Sequence, residues 1–298
     1  MTKTFEFKSQ LELGLERPQE KDRNHHLGGR SFYFFDFDDN IAYLSTPMIL
    51  FHKTHRQELK ISSGDFAQNH HDIGVKGIYA DYVINWDPVA GSFRNYRDKH
   101  IDELEALNGK KQVFIEDVLH ALGVPEFQWK GPSWDCFYHA VFNQRPVSLI
   151  TARGHAPHTL AEGIDQFVQQ KILPIAPNYL SIFPVNHPAT RQLLGDVDLN
   201  WSTADLKRQA LRASFQKAID VYGYSEHHRF GISDDDPKNI QLIFEELKKL
   251  KQEHSKIRFF IIDTAQGQFI KHEVTSGMVG LKVSTANESV FQEQLKLF

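Results

Sequence analysis

With 298 residues and 41% hydrophobic side chains, the chain has enough material for a sizeable core, in one large domain or two of ordinary size. Lys and Arg total 34 against 38 Asp and Glu, and the formal net charge of -4 supplies no global electrostatic footprint for nucleic acid or an anionic membrane. A single cysteine, Cys136, excludes an intrachain disulfide framework and fits a reducing compartment. The opening residues lack the apolar core of a signal peptide, and no apolar run approaches the roughly 20 residues of a membrane span, so a cytoplasmic protein is expected.

Residues 1–30 are polar, end in Arg23-Asn-His-His-Leu-Gly-Gly29, and read as a surface arm with at most one short element. Ser31-Phe-Tyr-Phe-Phe35 is apolar without alternation, the pattern of a strand buried on both faces of a parallel sheet, and acids stop it at Asp36. Residues 45–130 differ in character. Strands are expected over 48–53 and 58–62 and an alternating run over 80–86, then helices over 98–107 and 113–122, with glycines between them. This is the composition of an inserted α+β module.

A helix from Ser133 to Phe142 leads into the β-rich run Pro146-Val-Ser-Leu-Ile-Thr151, which breaks at Ala152-Arg153-Gly154. A second helix is expected from Thr159 to Gln170. A third runs from Ser202 to Tyr222, with Ser202 or Thr203 as N-cap and Leu206, Ala210, Leu211, Phe215, Ala218 and Ile219 at helical spacing. Arg229 to Ser233 forms another short strand, broken by Asp234-Asp-Asp-Pro237. The helix from Pro237 to Lys251 and the apolar run Ile257 to Asp263 follow. Strand–helix alternation of this kind predicts a doubly wound α/β fold with a mainly parallel sheet. The expected organisation is an arm over 1–30, a core over 31–44 and 131–298, and an insert over 45–130.

Ligands of such sheets bind at the carboxyl ends of the strands. Six carboxylates gather there in the sequence: Asp36, Asp38 and Asp39 after the first strand, and Asp234, Asp235 and Asp236 after the third. Thr151 and Arg153 close the second. Convergence of so much like charge requires a cation, and all-oxygen ligands with a phosphate point to magnesium. A calcium loop over Asp36 to Pro47 fails, because Ile41 stands where glycine is needed and Pro47 where glutamate is needed. The adjacent pairs His25-His26, His70-His71 and His227-His228 lack zinc-ligand spacing. In the insert, Gly91-Ser-Phe-Arg94-Asn-Tyr-Arg97 is the best candidate for an anion-facing loop, since arginine grips phosphate or carboxylate in bidentate fashion. Arg153 and His155 are candidates to face the same crevice.

These motifs resemble those of the haloacid-dehalogenase-like superfamily of hydrolases. A strand ending in Asp-x-Asp is matched by Phe34-Phe-Asp36-Phe-Asp38, one ending in Ser or Thr by Ser148-Leu-Ile-Thr151, and one ending in paired acids by Phe230-Gly-Ile-Ser-Asp234-Asp235. The remaining motif, a lone lysine upstream of the paired acids, is assigned to Lys207, with Lys217 as the alternative. The order spans residues 31 to about 263. One departure is Asn40, where the family often has Thr or Val.

The resemblance implies that Asp36 attacks phosphorus to form an aspartyl-phosphate, and that Asp38 serves as acid and then base. It further implies that Thr151 and Lys207 hold phosphoryl oxygens, and that Asp36, Asp38, Asp234 and Asp235 hold Mg2+. Arg153, Arg94 and Arg97 are the expected substrate contacts, and the insert occupies the position of a cap. A magnesium-dependent phosphatase acting on a small phosphorylated metabolite is therefore expected, without membrane or nucleic-acid partners. The alternatives are a phosphomutase or phosphotransferase of the same superfamily and a non-catalytic phosphate-binding regulator.

Overall fold

The structure is a computed structural model that describes residues 18–281 apart from 56, 101, 104–110 and 279. In chain order, strand β1 (Ser31–Phe35) is followed by an excursion. It contains β2 (Met48–His52), β3 (Glu58–Ile61), helix α1 (Ser63–Asn69), the two-residue β4 (Tyr82–Val83), α2 (Val113–Leu122) and α3 (Glu126–Trp129). The chain then runs through α4 (Trp134–Phe142), β5 (Pro146–Thr151), α5 (Pro157–Gln169), β6 (Asn178–Pro184), α6 (Pro188–Leu193) and α7 (Thr203–Tyr222). β7 (Arg229–Asp234), α8 (Pro237–Glu253), β8 (Arg258–Asp263) and β9 (Ile270–Val274) complete it.

Six strands form one sheet in the order β6-β5-β1-β7-β8-β9, parallel except for β9, which is antiparallel to β8. The fold is thus α/β with a mainly parallel sheet, as the alternating pattern predicts. β1 lies between β5 and β7, which is why its side chains are apolar on both faces. Phe32 and Phe34 pack with α7 and α8 in one cluster, while Phe35 packs with α2, α4 and α5 in the other. Helices therefore cover both faces. Each buried phenylalanine contributes about 1.5–3 kcal/mol, so β1 anchors both layers.

Three elements escape the sequence pattern. β6 forms one edge of the sheet, α6 follows it, and β9 closes the other edge. β6 and β9 are edge strands that mix buried with partly buried positions, and polar residues interrupt the apolar ones in both. Two short helices also escape the pattern: α1, begun by a capping box between Ser62 and Asp65, and the one-turn α3. Of the expected helix over 98–107, residues 98–100 are not helical and 101 and 104–107 lie outside the described residues, as does the arm before residue 18. From 18 onward the arm is tied down: Asp22 pairs with Arg145 at 2.9 Å and accepts from the Ser31 N–H at 2.9 Å.

The excursion divides in its packing. Met48, Leu50, Ile61 and Tyr79 form a small cluster of their own beneath the antiparallel β3-β2-β4 sheet. Phe114, Val118, Ala121 and Trp129 instead join the main core. Gly163 on α5 makes that docking close, since a Cβ there would lie 2.4 Å from the Phe114 ring. No helix among the described residues is long and apolar enough to cross a membrane.

Candidate functional site

From β1 the strand order runs outward through β5 to β6 on one side and through β7 to β8 on the other. The crevice at such a switch point lies outside the carboxyl ends of the central strands. Asp36 and Asp234 stand there, at the ends of β1 and β7. The adjacency is fixed by the ladder, in which Phe35 is in register with Ser233, and the Asp36 N–H donates to the Ser233 carbonyl at 3.0 Å.

Lys207 reaches this crevice from the second turn of α7, whose N-terminus is set by Ser202 accepting from the Asp205 N–H. Its ammonium donates to Asp36 Oδ2 at 2.6 Å and to Asp234 Oδ2 at 2.9 Å. All three side chains are buried. Burial pulls the Lys207 ammonium down, but the charges of Asp234 and Asp36 outweigh it and hold it above its ordinary value. Lys217, the alternative lysine, is exposed on the same helix.

Asp36, Asp234 and Asp235 offer oxygens that all lie within 4.8 Å of one another. Burial raises Asp36; Lys207 draws it back, and Asp234 raises it further. Burial, then the charges of Asp234 and Asp36, push Asp235 up to about 9. One ammonium does not balance three carboxylates. The oxygen-only donor set fits a hard divalent cation, which would relieve the repulsion that raises both groups.

The other expected acids turn elsewhere. Asp38 has both oxygens engaged by Arg153, from Nε at 2.8 Å and Nη2 at 2.6 Å. Asp39 adopts a left-handed backbone (φ 56°), and its carboxyl is raised by burial foremost and by Asp38, with a hydrogen bond from Ser63 of α1 opposing this. Asp236 caps α8 by accepting from the Lys238 N–H at 2.8 Å. Three carboxylates converge, then, rather than six.

Thr151 is buried at the end of β5, its hydroxyl accepting from the Arg153 N–H at 3.3 Å, with no hydrogen bond to Asp36. Arg153 is 1% exposed. Besides Asp38 it donates to Thr46 Oγ1 at 2.8 Å, and it lies 5.0 Å from the Tyr96 ring centroid and 4.7 Å from that of Phe114. Its Nη1 has no partner among the described residues. His155 is fully buried, and burial followed by the charges of Arg153 and Arg97 holds it well below its ordinary value, hence neutral.

Arg94 and Arg97 are committed within the insert. Arg94 makes a fork with Glu58, from Nη1 at 2.9 Å and Nη2 at 2.7 Å, and Arg97 makes one with Glu103 at 3.2 and 3.0 Å. Neither bonds to a residue of the Asp36 cluster. The backbone of their loop does reach the neighbouring region, with the Gly154 N–H donating to the Tyr96 carbonyl at 2.7 Å.

Asn40, the departure from the family pattern, is a structural hub. Its amide donates to the carbonyls of Asp36 at 3.0 Å and Ser233 at 3.3 Å, and its oxygen accepts from the hydroxyls of Ser233 at 2.8 Å and Thr264 at 2.9 Å. Gly131 lets the chain pass this close, because a Cβ there would lie 2.3 Å from the Asn40 carbonyl. Asn239 is a further residue the motifs do not reveal; it donates to Asp234 Oδ1 at 3.1 Å from the first turn of α8. Its only signal is its place three residues inside a helix that starts at the acids.

Comparison with protein families, curated proteins and solved structures returns no match to this chain.

Proposed function

We propose that the chain is a magnesium-dependent phosphohydrolase of the haloacid-dehalogenase-like type, acting on a small phosphorylated metabolite. The observation that carries this reading is the ammonium of Lys207 held between Asp36 and Asp234, with Asp235 beside them, at the switch point of a parallel sheet. Asp36, Asp234 and Asp235 would hold the cation, which when bound supplies charge neutralisation between carboxylate and phosphate.

Within this proposal an oxygen of Asp36 attacks phosphorus as the bond to the leaving oxygen breaks, giving an aspartyl-phosphate. Lys207 draws a phosphoryl oxygen into line as a point charge. Thr151 is the hydroxyl at the end of the neighbouring strand. Asp38 protonates the leaving oxygen and later takes a proton from the water that releases phosphate and regenerates Asp36. Protonating Asp38 removes the charge that Arg153 pairs with, so the acid step is coupled to loosening of that pair. The insert, with its own cluster over residues 48–96, acts as a cap that excludes water and sets the substrate.

The test is incubation with a generic phosphomonoester, with magnesium and with EDTA, for the wild type and Asp36→Asn. Steady phosphate release that needs both the metal and Asp36 is the expected outcome. Transfer to an added sugar instead would identify a phosphotransferase. Turnover unchanged in Asp36→Asn would overturn the assignment of the nucleophile.

A further inference from the structure

Asp117 of α2 is a partly buried acid to which the reaction outlined above gives no role. It stands three residues beyond Phe114, whose ring centroid lies 4.7 Å from the Arg153 guanidinium carbon, so one side of the helix presents both to Arg153. Asp117 Oδ2 accepts from the Thr46 hydroxyl at 2.5 Å. The same hydroxyl oxygen accepts from Arg153 Nη2 at 2.8 Å, and Nη2 also donates to Asp38 Oδ1 at 2.6 Å. Arginine can only donate and a hydroxyl has a single proton, so the Thr46 proton is committed to Asp117. The direction of the series is thereby fixed, from Arg153 to Thr46 and from Thr46 to Asp117.

Thr46 is itself held. It is buried two residues before β2, and its carbonyl accepts from the Tyr96 hydroxyl at 2.9 Å. Asn95 donates to the next carbonyl, that of Pro47, also at 2.9 Å. Arg153 is therefore bounded by Asp38 at one end and by the Thr46–Asp117 pair at the other. Asp38 keeps 20% of its side chain exposed against 1% for Arg153, so the grip leaves the carboxyl open. Burial foremost raises the Asp117 carboxyl, while the Thr46 hydrogen bond and the Arg153 charge draw it back.

We propose, resting on the phosphohydrolase reading, that Asp117 is a positioning residue for departure of the leaving group. Through Thr46 it fixes the plane and reach of the Arg153 guanidinium, and Arg153 in turn aims the Asp38 carboxyl at the departing oxygen. In that step an Asp36 oxygen bonds to phosphorus, the bond from phosphorus to the leaving oxygen breaks, and the Asp38 proton passes to that oxygen. Aim matters most for an alcohol that leaves poorly, because an acidic phenol departs with little help from a general acid. A purely structural Asp117 would slow both kinds of ester alike.

The test compares kcat/KM for glycerol 2-phosphate and for 4-nitrophenyl phosphate, both with magnesium, in the full-length wild type, Asp117→Ala, Thr46→Val and Thr46→Ser. Asp117→Ala and Thr46→Val are expected to lose about tenfold or more on the glycerol ester, at least about threefold more than on the nitrophenyl ester. Thr46→Ser keeps the hydroxyl and should recover most of what Thr46→Val loses. Equal losses on the two esters, no loss, or a Thr46→Ser as impaired as Thr46→Val would each overturn the role of Asp117 and leave the phosphohydrolase reading standing. A wild type that turns over neither ester overturns that reading, and the role of Asp117 with it. Should Asp117→Ala fail to fold, Thr46→Val decides, because valine keeps the shape of threonine and removes the hydroxyl that joins Asp117 to Arg153.

Discussion

Arg153 grips Asp38 through two hydrogen bonds, from Nε at 2.8 Å and Nη2 at 2.6 Å, with its guanidinium enclosed by Tyr96 of the insert and Phe114 of α2. The pair joins the two segments that close β1 and β5, and Tyr96 brings the insert to the same point. Position of the insert and position of Asp38 are therefore mechanically linked.

Replacing Arg153 with Lys keeps the charge and loses the fork, at a cost of about 2 kcal/mol in unfolding free energy. Urea unfolding of Arg153→Lys, Asp38→Asn and the double variant measures it. Coupling above about 0.5 kcal/mol is expected for residues in contact, and simple additivity would show that the pair is not an energetic unit.

Lys207→Met leaves Asp36 and Asp234 without their shared cation, and breaking a buried pair in this way costs about 3–5 kcal/mol. Lys217→Met, on an exposed stretch of the same helix, should stay within about 0.5 kcal/mol of the wild type. Chemical denaturation in metal-free buffer distinguishes the two. Equal effects would remove Lys207 from its place in the cluster.

Asn40→Asp exchanges the amide donor for a carboxylate facing two backbone carbonyls, and about 3 kcal/mol of destabilisation is expected. Asn40→Ala removes four hydrogen bonds, although the Ser233 carbonyl and the hydroxyls of Ser233 and Thr264 keep other partners, and is expected to cost about 2 kcal/mol. Thermal unfolding reads both. A stability unchanged in Asn40→Asp would mean that the hub carries no net energy.

Asp235 moves from 3.8 to about 9, through burial and then the charges of Asp234 and Asp36. A carboxyl raised on folding binds more protons in the folded chain than in the unfolded one, so it lowers stability progressively as pH climbs through this window. In EDTA, the unfolding midpoint should drop between about pH 5 and pH 8.5. Millimolar magnesium should restore more of it at the higher pH. A magnesium response that is equal at both pH values, or absent, would contradict a cation held by these acids.

Much of the core was legible because its strands are short, apolar and closed by polar residues. Phe32 to Phe35 and Val147 to Ile150 announce burial on both faces, and the acids and hydroxyl that end such runs fall at the crevice for topological reasons. Lys207 could be reached from sequence only through the motif order, because nothing local distinguishes it from Lys217. What the sequence hides depends on partners distant in the chain. Arg153 looks like a free cation until Asp38, Thr46, Tyr96 and Phe114 are seen around it, and Arg94 until Glu58 is. β6 and β9 escape because edge strands need no continuous apolar face. Arg229 sits in a run that reads only as strand, and its place beside Arg258 and the Phe260 ring emerges from the register with β8.

Asn40 and Ser233 are 193 positions apart, and Lys207 follows Asp36 by 171. During synthesis β1 leaves the ribosome long before β7, so the innermost strand waits with one edge open and its phenylalanines half covered. The cluster over 48–96 is local and can compact meanwhile. The crevice is thus among the last parts of the molecule to mature, and a nascent chain interrupted before β7 would carry Asp36 without the backbone and amide contacts that orient it.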